Sequence, residues 1–440
     1  MSVFTFKGGV HPFEGKNLSK DKPVKELLPG DELVFPVSQH SGAPAVPVVS
    51  VGDKVKAGTL IASAGGFVSS NIYSSVSGTV KKIEPRLVTN GSKCNSIIIE
   101  NDGNYEEEDP WQVKPYEEMT ADEINELVKR AGVVGMGGAT FPTHVKFAPK
   151  DRAAIDYIIV NAAECEPYLT CDYRRLIENT EDVILGLKVI LRIFPNAKGV
   201  FAVENNKKDV IEKLEGMVKN EPRISVATLK TKYPQGSERH IIYAVTKRYI
   251  NSSMLPADVG VIVDNTDTVY AVKRAVIDGR PLTSRIATVT GDCIKEPGNF
   301  HVRFGTNMKQ LIDAAGGFTE EPEKVIAGGP MMGISIFDLD MPVCKGTSAL
   351  LCFRSDTNSK LKSTNCINCG RCLEVCPEHL MPTKLADFSA RGDLAGFEKY
   401  NGVECMECGS CSYVCPAKRD LAEAIKAMRK EALAARRARK

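Results

Sequence analysis

From Thr120 onward the hydrophobic positions follow two alternating rhythms. Thr120-Ala-Asp-Glu123 reads as a capping box, and Ile124, Leu127, Val128 and Ala131 follow at helical spacing before Gly132 closes the helix. Short aliphatic runs predict strands at 155–161, 199–204, 224–229 and 259–264. Helical periods predict helices at 181–194, 207–218, 237–247 and 266–278. In the first of these, Val183, Leu187, Ile190 and Leu191 point inward. Parallel neighbours need crossover connections, so this order implies a mostly parallel sheet with helices on both faces over about 115–279.

The flanking regions read differently. Residues 1–30 are rich in glycine and proline and are expected to form an irregular strap, in which His11 is structural. Residues 31–103 show short β runs at 45–51, 59–62, 78–83 and 96–100, separated by glycine turns. Val51-Gly-Asp-Lys-Val-Lys-Ala-Gly-Thr59 and Val76-Ser-Gly-Thr-Val-Lys-Lys-Ile83 resemble the paired strands of biotinyl/lipoyl-like barrels. Residues 65–74 contain no lysine, so the barrel is read as scaffold rather than swinging-arm carrier. An acidic linker follows at 104–118. Strands at 285–290, 301–304 and 324–327 around a helix at 307–315 predict a small β-grasp-like domain over 280–352. Beyond a polar linker comes a cysteine-rich module, 360–419, with helices expected at 383–390 and 393–400. The fold class is thus α/β and multidomain.

Composition narrows the function. The 440 residues carry 57 Lys+Arg against 55 Asp+Glu, a net charge of +2, so no global basic field for nucleic acid exists. No stretch approaches the ~20 apolar residues that a spanning helix needs. Residues 1–10 lack the apolar core of a secretory signal, so a cytoplasmic location is expected unless a partner holds the chain at a membrane.

Eight of the fourteen cysteines lie between 366 and 415. Cys366, Cys369, Cys372 and Cys376-Pro377 repeat as Cys405, Cys408, Cys411 and Cys415-Pro416, each copy C-x2-C-x2-C-x3-C-P. This is the two-cluster ferredoxin spacing, in which the fourth cysteine ligates the other cluster. One [4Fe-4S] cluster is expected on Cys366, Cys369, Cys372 and Cys415, the other on Cys405, Cys408, Cys411 and Cys376. Zinc is the alternative, but it usually takes two C-x2-C knuckles rather than close triplets. Two close clusters make a one-electron wire.

Gly132, Gly135, Gly137 and Gly138 crowd the loop after the capped helix, with Lys146 beyond. Such a loop is either an ordinary turn or a nest whose N–H groups meet a phosphate. It follows a helix rather than a strand, so it is not a dinucleotide fingerprint. Gly137 and Gly138 are expected to allow close backbone approach, Gly137 through a positive φ. The strand ending Asn161-Ala-Ala-Glu164-Cys165-Glu166 places polar groups where open α/β sheets bind ligands. The alternative is a capped turn with solvated carboxylates.

Residues 132–146 and 161–174 resemble the flavin segments of the NADH-oxidising subunit of respiratory complex I, roughly G-R-G-G-A-G-F-P-T-G-x-K-W and N-A-D-E-S-E-P-G. Nearly the whole chain, from Gly8-Gly-Val-His-Pro12 to the cysteine motifs, resembles the C subunits of Rnf-type ion-translocating ferredoxin:NAD⁺ oxidoreductase complexes. The resemblance implies non-covalent FMN with its phosphate on the Gly135–Gly138 loop near Lys146. It places Asn161, Glu164 and Glu166 on the flavin and nicotinamide side, with Glu164 and Glu166 as the catalytic candidates. It makes Tyr233, Gly236 and Glu238 a second cofactor turn, and Asp264, Asn265 and Thr266 the counterpart of a V-N-N-V-E-T segment. Asp264 stands where that family has asparagine, adding a negative charge. The implied partners are the other subunits of a membrane complex at the cytoplasmic face of a bacterial cell membrane, with NAD(H) as substrate and ferredoxin-derived electrons arriving through a partner. A soluble corrinoid reductase of similar layout and a non-catalytic iron–sulfur relay are the other readings.

At 420–440, Leu421, Ile425, Met428, Ala432 and Ala435 share one face of a basic helix. Such a helix binds an anionic membrane or an acidic partner, or is a solvated tail.

Overall fold

A computed structural model describes residues 3–439. The barrel comprises two small sheets. Glu32–Pro36, Lys93–Asn101, Gly78–Leu87 and Lys54–Val55 form one in that order; Val46–Pro47, Leu60–Ser63 and Ile72–Tyr73 form the other. Leu33, Phe35, Ile61, Val80, Ile97 and Ile99 are fully buried between them. The run expected at 45–51 contracts to two residues, because Pro47 lacks the N–H that a longer ladder needs.

The central sheet is all parallel, in the order Ile224–Leu229, Lys198–Glu204, Tyr157–Ala162, Val261–Asn265. Thr180–Ile193 and Thr266–Val276 pack on one face together with the capped helix Ala121–Arg130, whose capping box is present. Glu238–Thr246 covers the other, burying Ile241 and Ile242 against Ile159, Ala202 and Val261. The helix Cys171–Glu178 is not among the expected elements; Cys171 to Leu176 are all buried, charged residues among them. Its inward positions include Asp172 and Arg175, and Arg175 is neutralised by Asp267 at 2.6 Å.

The β-grasp sheet runs Lys25–Leu27, Gly298–Arg303, Ser284–Thr290, Ala349–Phe353, Lys324–Ala327, Ile334–Ile336, with Met308–Ala314 against it. Its first strand corrects the expectation of a wholly irregular strap. Residues 25–27 pair in parallel with 300–302, and earlier Phe4 bridges to Leu229 and Val10 to Tyr233. The strap carries no period because it touches a different body every few residues.

In the cysteine module, Pro382–Ala390 and Leu394–Lys399 pack against Leu421–Ala438. Here the amphipathic reading is corrected. Ile425, Met428 and Ala432 are buried against Leu385, Phe388, Phe397 and Val403. Leu421 joins Cys372 and Cys415. The apolar face that would enter a membrane is the core of the module. Arg429 pairs with Glu407 at 2.9 Å and Arg436 with Glu398 at 2.8 Å. Among the described residues no helix is long and apolar enough to cross a membrane.

Removing residues 421–440 is therefore expected to unfold the module and release its iron, and Ile425→Ala to destabilise it by ~2–5 kcal/mol. Iron content and the thermal midpoint of the two variants check this; retention of full iron by the truncated chain would contradict it.

Candidate functional site

The glycine loop is held from three sides. Lys345, on the β-grasp side, sends its Nζ to Gly132 O (2.7 Å), Asn71 O (2.6 Å) and Ser70 Oγ (3.1 Å). Its burial lowers the ammonium to about 7. Met136 N donates to Thr268 Oγ1 at 2.8 Å, and Met136 O accepts from Arg285 Nη2 at 3.2 Å. Thr140 N closes the turn on Gly135 O at 3.1 Å. The N–H groups of Gly137, Gly138 and Ala139 then have no acceptor among the described residues. Three successive amides are thus free to donate to an anion, as the phosphate of FMN would require. The positive φ belongs to Gly138 (117°), not to Gly137 as expected, and a Cβ on Gly137 would meet Asn265 at an ordinary 3.4 Å. Gly138 is the position that needs glycine.

Beside the loop lie the carboxyl ends of the strands. Asn161 Nδ2 donates to Gly236 O at 2.7 Å, and Thr266 Oγ1 to Asn161 O at 3.3 Å. Asn265 caps the helix Thr266–Val276 by accepting from Asp267 N (2.9 Å) and donates to Asp172 Oδ2 (2.7 Å). Lys146 Nζ donates to Val263 O at 2.8 Å and lies 3.5 Å from Asp264 and 3.8 Å from Glu238. Asp264 is buried with both oxygens lacking a hydrogen bond, and burial raises its pKa to about 6 although Lys146 opposes the shift. The negative charge noticed in the sequence is thus set against Lys146 itself.

The two candidate carboxylates occupy different surroundings. Glu164 takes a left-handed backbone (φ 48°) and is buried, with Oε1 accepting from Asp172 N at 2.8 Å. Lys16, from the strap, lies 3.6 Å from its other oxygen and donates to the carbonyls of Glu164, Glu166 and Leu169. Glu166 reaches across to the β-grasp domain, accepting from Met331 N (3.0 Å) and Met332 N (2.8 Å). Burial raises it to about 7, the two amides opposing. Gly137, Gly138, Glu166 and the loop from Gly328 to Gly333 line a cavity of about 400 Å³ between the central, barrel and β-grasp bodies.

Tyr233 lies apart from that cavity. Its hydroxyl donates to Cys408 O at 2.8 Å, and with Val10 and Cys408 it forms an apolar group that Cys165, Met331 and Met406 complete. The turn at 232–238 therefore touches the cysteine module at one end and Asn161 at the other. Arg239, three residues beyond Gly236, locks this contact by pairing with Glu378 and Glu404, each at 3.1 Å.

The cysteines segregate into two sets. Cys366, Cys369, Cys372 and Cys415 line one cavity, of about 180 Å³; Cys376, Cys405, Cys408 and Cys411 line another. Four thiols around a cavity fit a cubane, and each set takes its fourth member from the other motif. Among the described residues no group of three or more Cys, His, Asp or Glu side chains forms a single-ion site.

Sequence patterns did not reveal Lys16, Lys345, Asp172 or Arg239. An isolated charged residue carries no period, and what Lys16, Lys345 and Arg239 bind lies more than a hundred residues away along the chain.

Comparison with known proteins follows the same divisions. Residues 4–104 match the RnfC barrel sandwich hybrid domain, 128–274 the Nuo51 FMN-binding domain, 286–335 the SLBB domain and 365–418 the 4Fe-4S dicluster domain. The fold resembles an NAD+-reducing [NiFe]-hydrogenase, with TM-scores of 0.50 and 0.51 at 18% and 19% identity in two redox states. The match covers 73% and 70% of this chain and 62% and 63% of those chains, less than two thirds of their length. The protein is an electron-transfer flavoprotein of the FMN and two-cluster iron–sulfur class. The C subunit of the Na(+)-translocating ferredoxin:NAD(+) oxidoreductase complex of Acetobacterium woodii is 44% identical over 98% of both chains. Its counterpart in the proton-translocating complex of Clostridium ljungdahlii is also 44% identical, over 98% of this chain and 94% of that one. The counterpart in the ion-translocating oxidoreductase complex of Rhodobacter capsulatus is 37% identical over 91% of this chain and 78% of its own. The chain belongs to this family of ion-translocating oxidoreductase complex C subunits. A corrinoid reductase is not favoured.

Two outcomes test the site. Gly138→Val is expected to abolish flavin binding while iron content stays normal, and Gly137→Ala to retain flavin; flavin released by acid and total iron are the readouts. The second concerns Asp172, which burial, with Glu164 and Asp267 adding to it, raises to about 7. Its folded pKa lies above the ordinary 3.8, so folding binds a proton. The stability this contributes is complete below about pH 4 and is lost as pH rises through 7. Asp172→Asn should therefore raise the thermal midpoint relative to the unsubstituted chain at pH 8, with the gap closing toward pH 5.

Proposed function

We propose that this chain is the NAD(H)-reactive peripheral subunit of a membrane-bound, ion-translocating electron-transport complex, lying at the cytoplasmic face of the membrane. It exchanges electrons between NAD(H) and ferredoxin-derived carriers through FMN and two [4Fe-4S] clusters, and the ion pathway belongs to its partner subunits. The observation that carries this reading is the apolar group around Tyr233, which takes in Cys165 of the strand-end turn and Cys408 of the inner cysteine set. That group joins the strand-end turn of the central domain to the cysteine module.

FMN, when bound, supplies the conversion between two-electron hydride chemistry and the one-electron chemistry of the clusters. The chain's residues do the positioning. The amides of Gly137, Gly138 and Ala139, with Lys146, would hold the phosphate. Glu164 and Lys16 fix the strand-end turn, so its backbone stays in place as charge changes beside it. Glu166 ties the Gly328–Gly333 loop over the cavity, which limits water there. Arg239 keeps the cysteine module seated against the central domain. In this arrangement Glu164 and Glu166 act on the nicotinamide side through the loops they hold.

The test uses anaerobically purified protein. NADH should bleach the flavin band, and EPR should then show two reduced clusters. Cys376→Ser should damage the cluster of Cys405, Cys408 and Cys411 and leave that of Cys366, Cys369 and Cys372 nearly intact. A fully occupied flavin that NADH leaves oxidised would remove the nicotinamide from this reading. Damage confined to the first triplet would reverse the ligand sets.

A further inference from the structure

The two copies of the cysteine motif have the same spacing and different surroundings. In the first loop Ile367, Asn368, Cys369 and Arg371 are exposed, whereas no residue from 405 to 410 is. Part of the cover on the second copy comes from the N-terminal strap. Val10, Tyr233 and Cys408 are the buried members of one apolar group. Val10 exchanges both backbone hydrogen bonds with Tyr233, at 2.7 and 2.9 Å, and Gly9 N donates to Val375 O at 2.9 Å. Gly8 packs against the backbone of Cys376. A Cβ there would stand 3.0 Å from Cys376 O and 3.1 Å from Val375 O, and its φ of 91° is one that side chains rarely adopt. Lys232 Nζ fixes the segment by donating to Gly8 O at 2.9 Å. The segment is thus held between Tyr233 and Cys376, with Val10 in one apolar group with Cys408.

We propose that the strap segment Gly8–Val10 is a positioning element for the inner cluster: it keeps water from the inner cysteine set and so holds that cluster harder to reduce than the same ligands would in an open site. The inference rests on the ligand sets of the proposed function, which put Cys376 with Cys405, Cys408 and Cys411. Reduction adds an electron to a cluster that its thiolates already make anionic. Water stabilises the added charge and an apolar cover does not, so the potential follows solvent access as well as hydrogen bonds to sulfur. The amides that reach sulfur here belong to the module's own loops. Leu380 N donates to Cys376 Sγ at 3.3 Å and Glu407 N to Cys405 Sγ at 3.4 Å, and each favours reduction. Among the described residues the strap adds no such bond, because its Gly9 and Val10 amides are bonded to Val375 O and Tyr233 O. What it contributes is close backbone packing and the buried side chain of Val10. Its effect is therefore opposite in sign to that of the loop amides.

The test is an anaerobic redox titration followed by EPR on the full chain, with iron and flavin content verified. The signal altered by Cys405→Ser identifies the inner cluster. Val10→Thr keeps the size of the side chain and puts a hydroxyl where a methyl was. It is expected to shift the inner midpoint potential upward and to leave the outer one in place, while Val10→Ile leaves both in place. Gly8→Ala, whose Cβ presses on the Cys376 carbonyl, should shift the inner midpoint in the same direction. An inner midpoint that Val10→Thr leaves unchanged at full iron overturns the proposal whatever Gly8→Ala does, because a push on the backbone would then be the cause. An equal shift of both clusters overturns it too, as a general loosening of the module, and so does an upward shift in Val10→Ile as large as that in Val10→Thr. Should Val10→Thr lose iron, Gly8→Ala decides. If Cys376→Ser alters the signal of the first triplet and spares the signal assigned by Cys405→Ser, the proposed ligand sets fail. A Val10→Thr shift confined to the latter signal would still uphold the strap.

Discussion

The architecture depends on buried lysine side chains whose Nζ groups bind loop carbonyls, in most cases those of another body. Lys345 joins the barrel at Asn71 to the glycine loop at Gly132, and Lys16 brings the strap to three carbonyls of the strand-end turn. Lys207 holds Ala163 O at 2.6 Å, and Lys232 holds Gly8 O at 2.9 Å. Burying a cation costs several kcal/mol unless every donor is used. Lys16 and Lys345 use all three donors, Lys207 adds Asn206 Oδ1 and Glu204, and Lys232 adds the ring of Phe6; the carbonyls they meet lie in loops that no ladder satisfies. The long lysine stem spans the gap between bodies that β-pairing cannot cross.

Those clamps decide what the loops can do. The glycine loop is fixed at both ends, so its middle amides stay unpaired and accessible. The strand-end turn carries Glu164 in a left-handed conformation, held by the Asp172 amide and Lys16. Glu166, two residues on, faces the opposite body and binds the Met331 and Met332 amides. One short turn thus binds the strap through Lys16, the β-grasp loop through Glu166 and, through Cys165, the apolar group that contains Cys408. Electron transfer between domains requires short, fixed separations, and a turn shared by three bodies provides them without a hinge.

The same packing concentrates carboxyl groups where water is scarce. Asp172, Glu166, Glu204 and Asp264 are all raised, to about 7, 7, 7 and 6, with burial the leading cause in each. Glu204 is offset by Lys207 at 3.6 Å and Asp264 by Lys146 at 3.5 Å.

Much of this protein is local, and local features were readable in the sequence. The capping box at Thr120, the aliphatic strands and the repeated cysteine spacing each depend on neighbours a few residues away. They return in the fold as the helix Ala121–Arg130, the central parallel sheet and the paired thiol cavities. The strand at 25–27, the helix Cys171–Glu178 and the fate of the basic C-terminal helix were not readable. The first exists because residues 300–302 lie beside it; the second buries charges that are neutral only with Asp267 and its other partners in place. An amphipathic face announces that it will be buried but not against what, and only the tertiary structure set Ile425 and Met428 against Phe388 and Phe397 rather than a membrane. Dihedral preference and ligand spacing act over a few residues, so the elements and the chemistry of their side chains follow from the order of residues alone. Which loops meet, which glycine turns left-handed and which cysteine set is the more exposed were decided by contacts between residues mostly more than a hundred apart, whose burial energy no local pattern records.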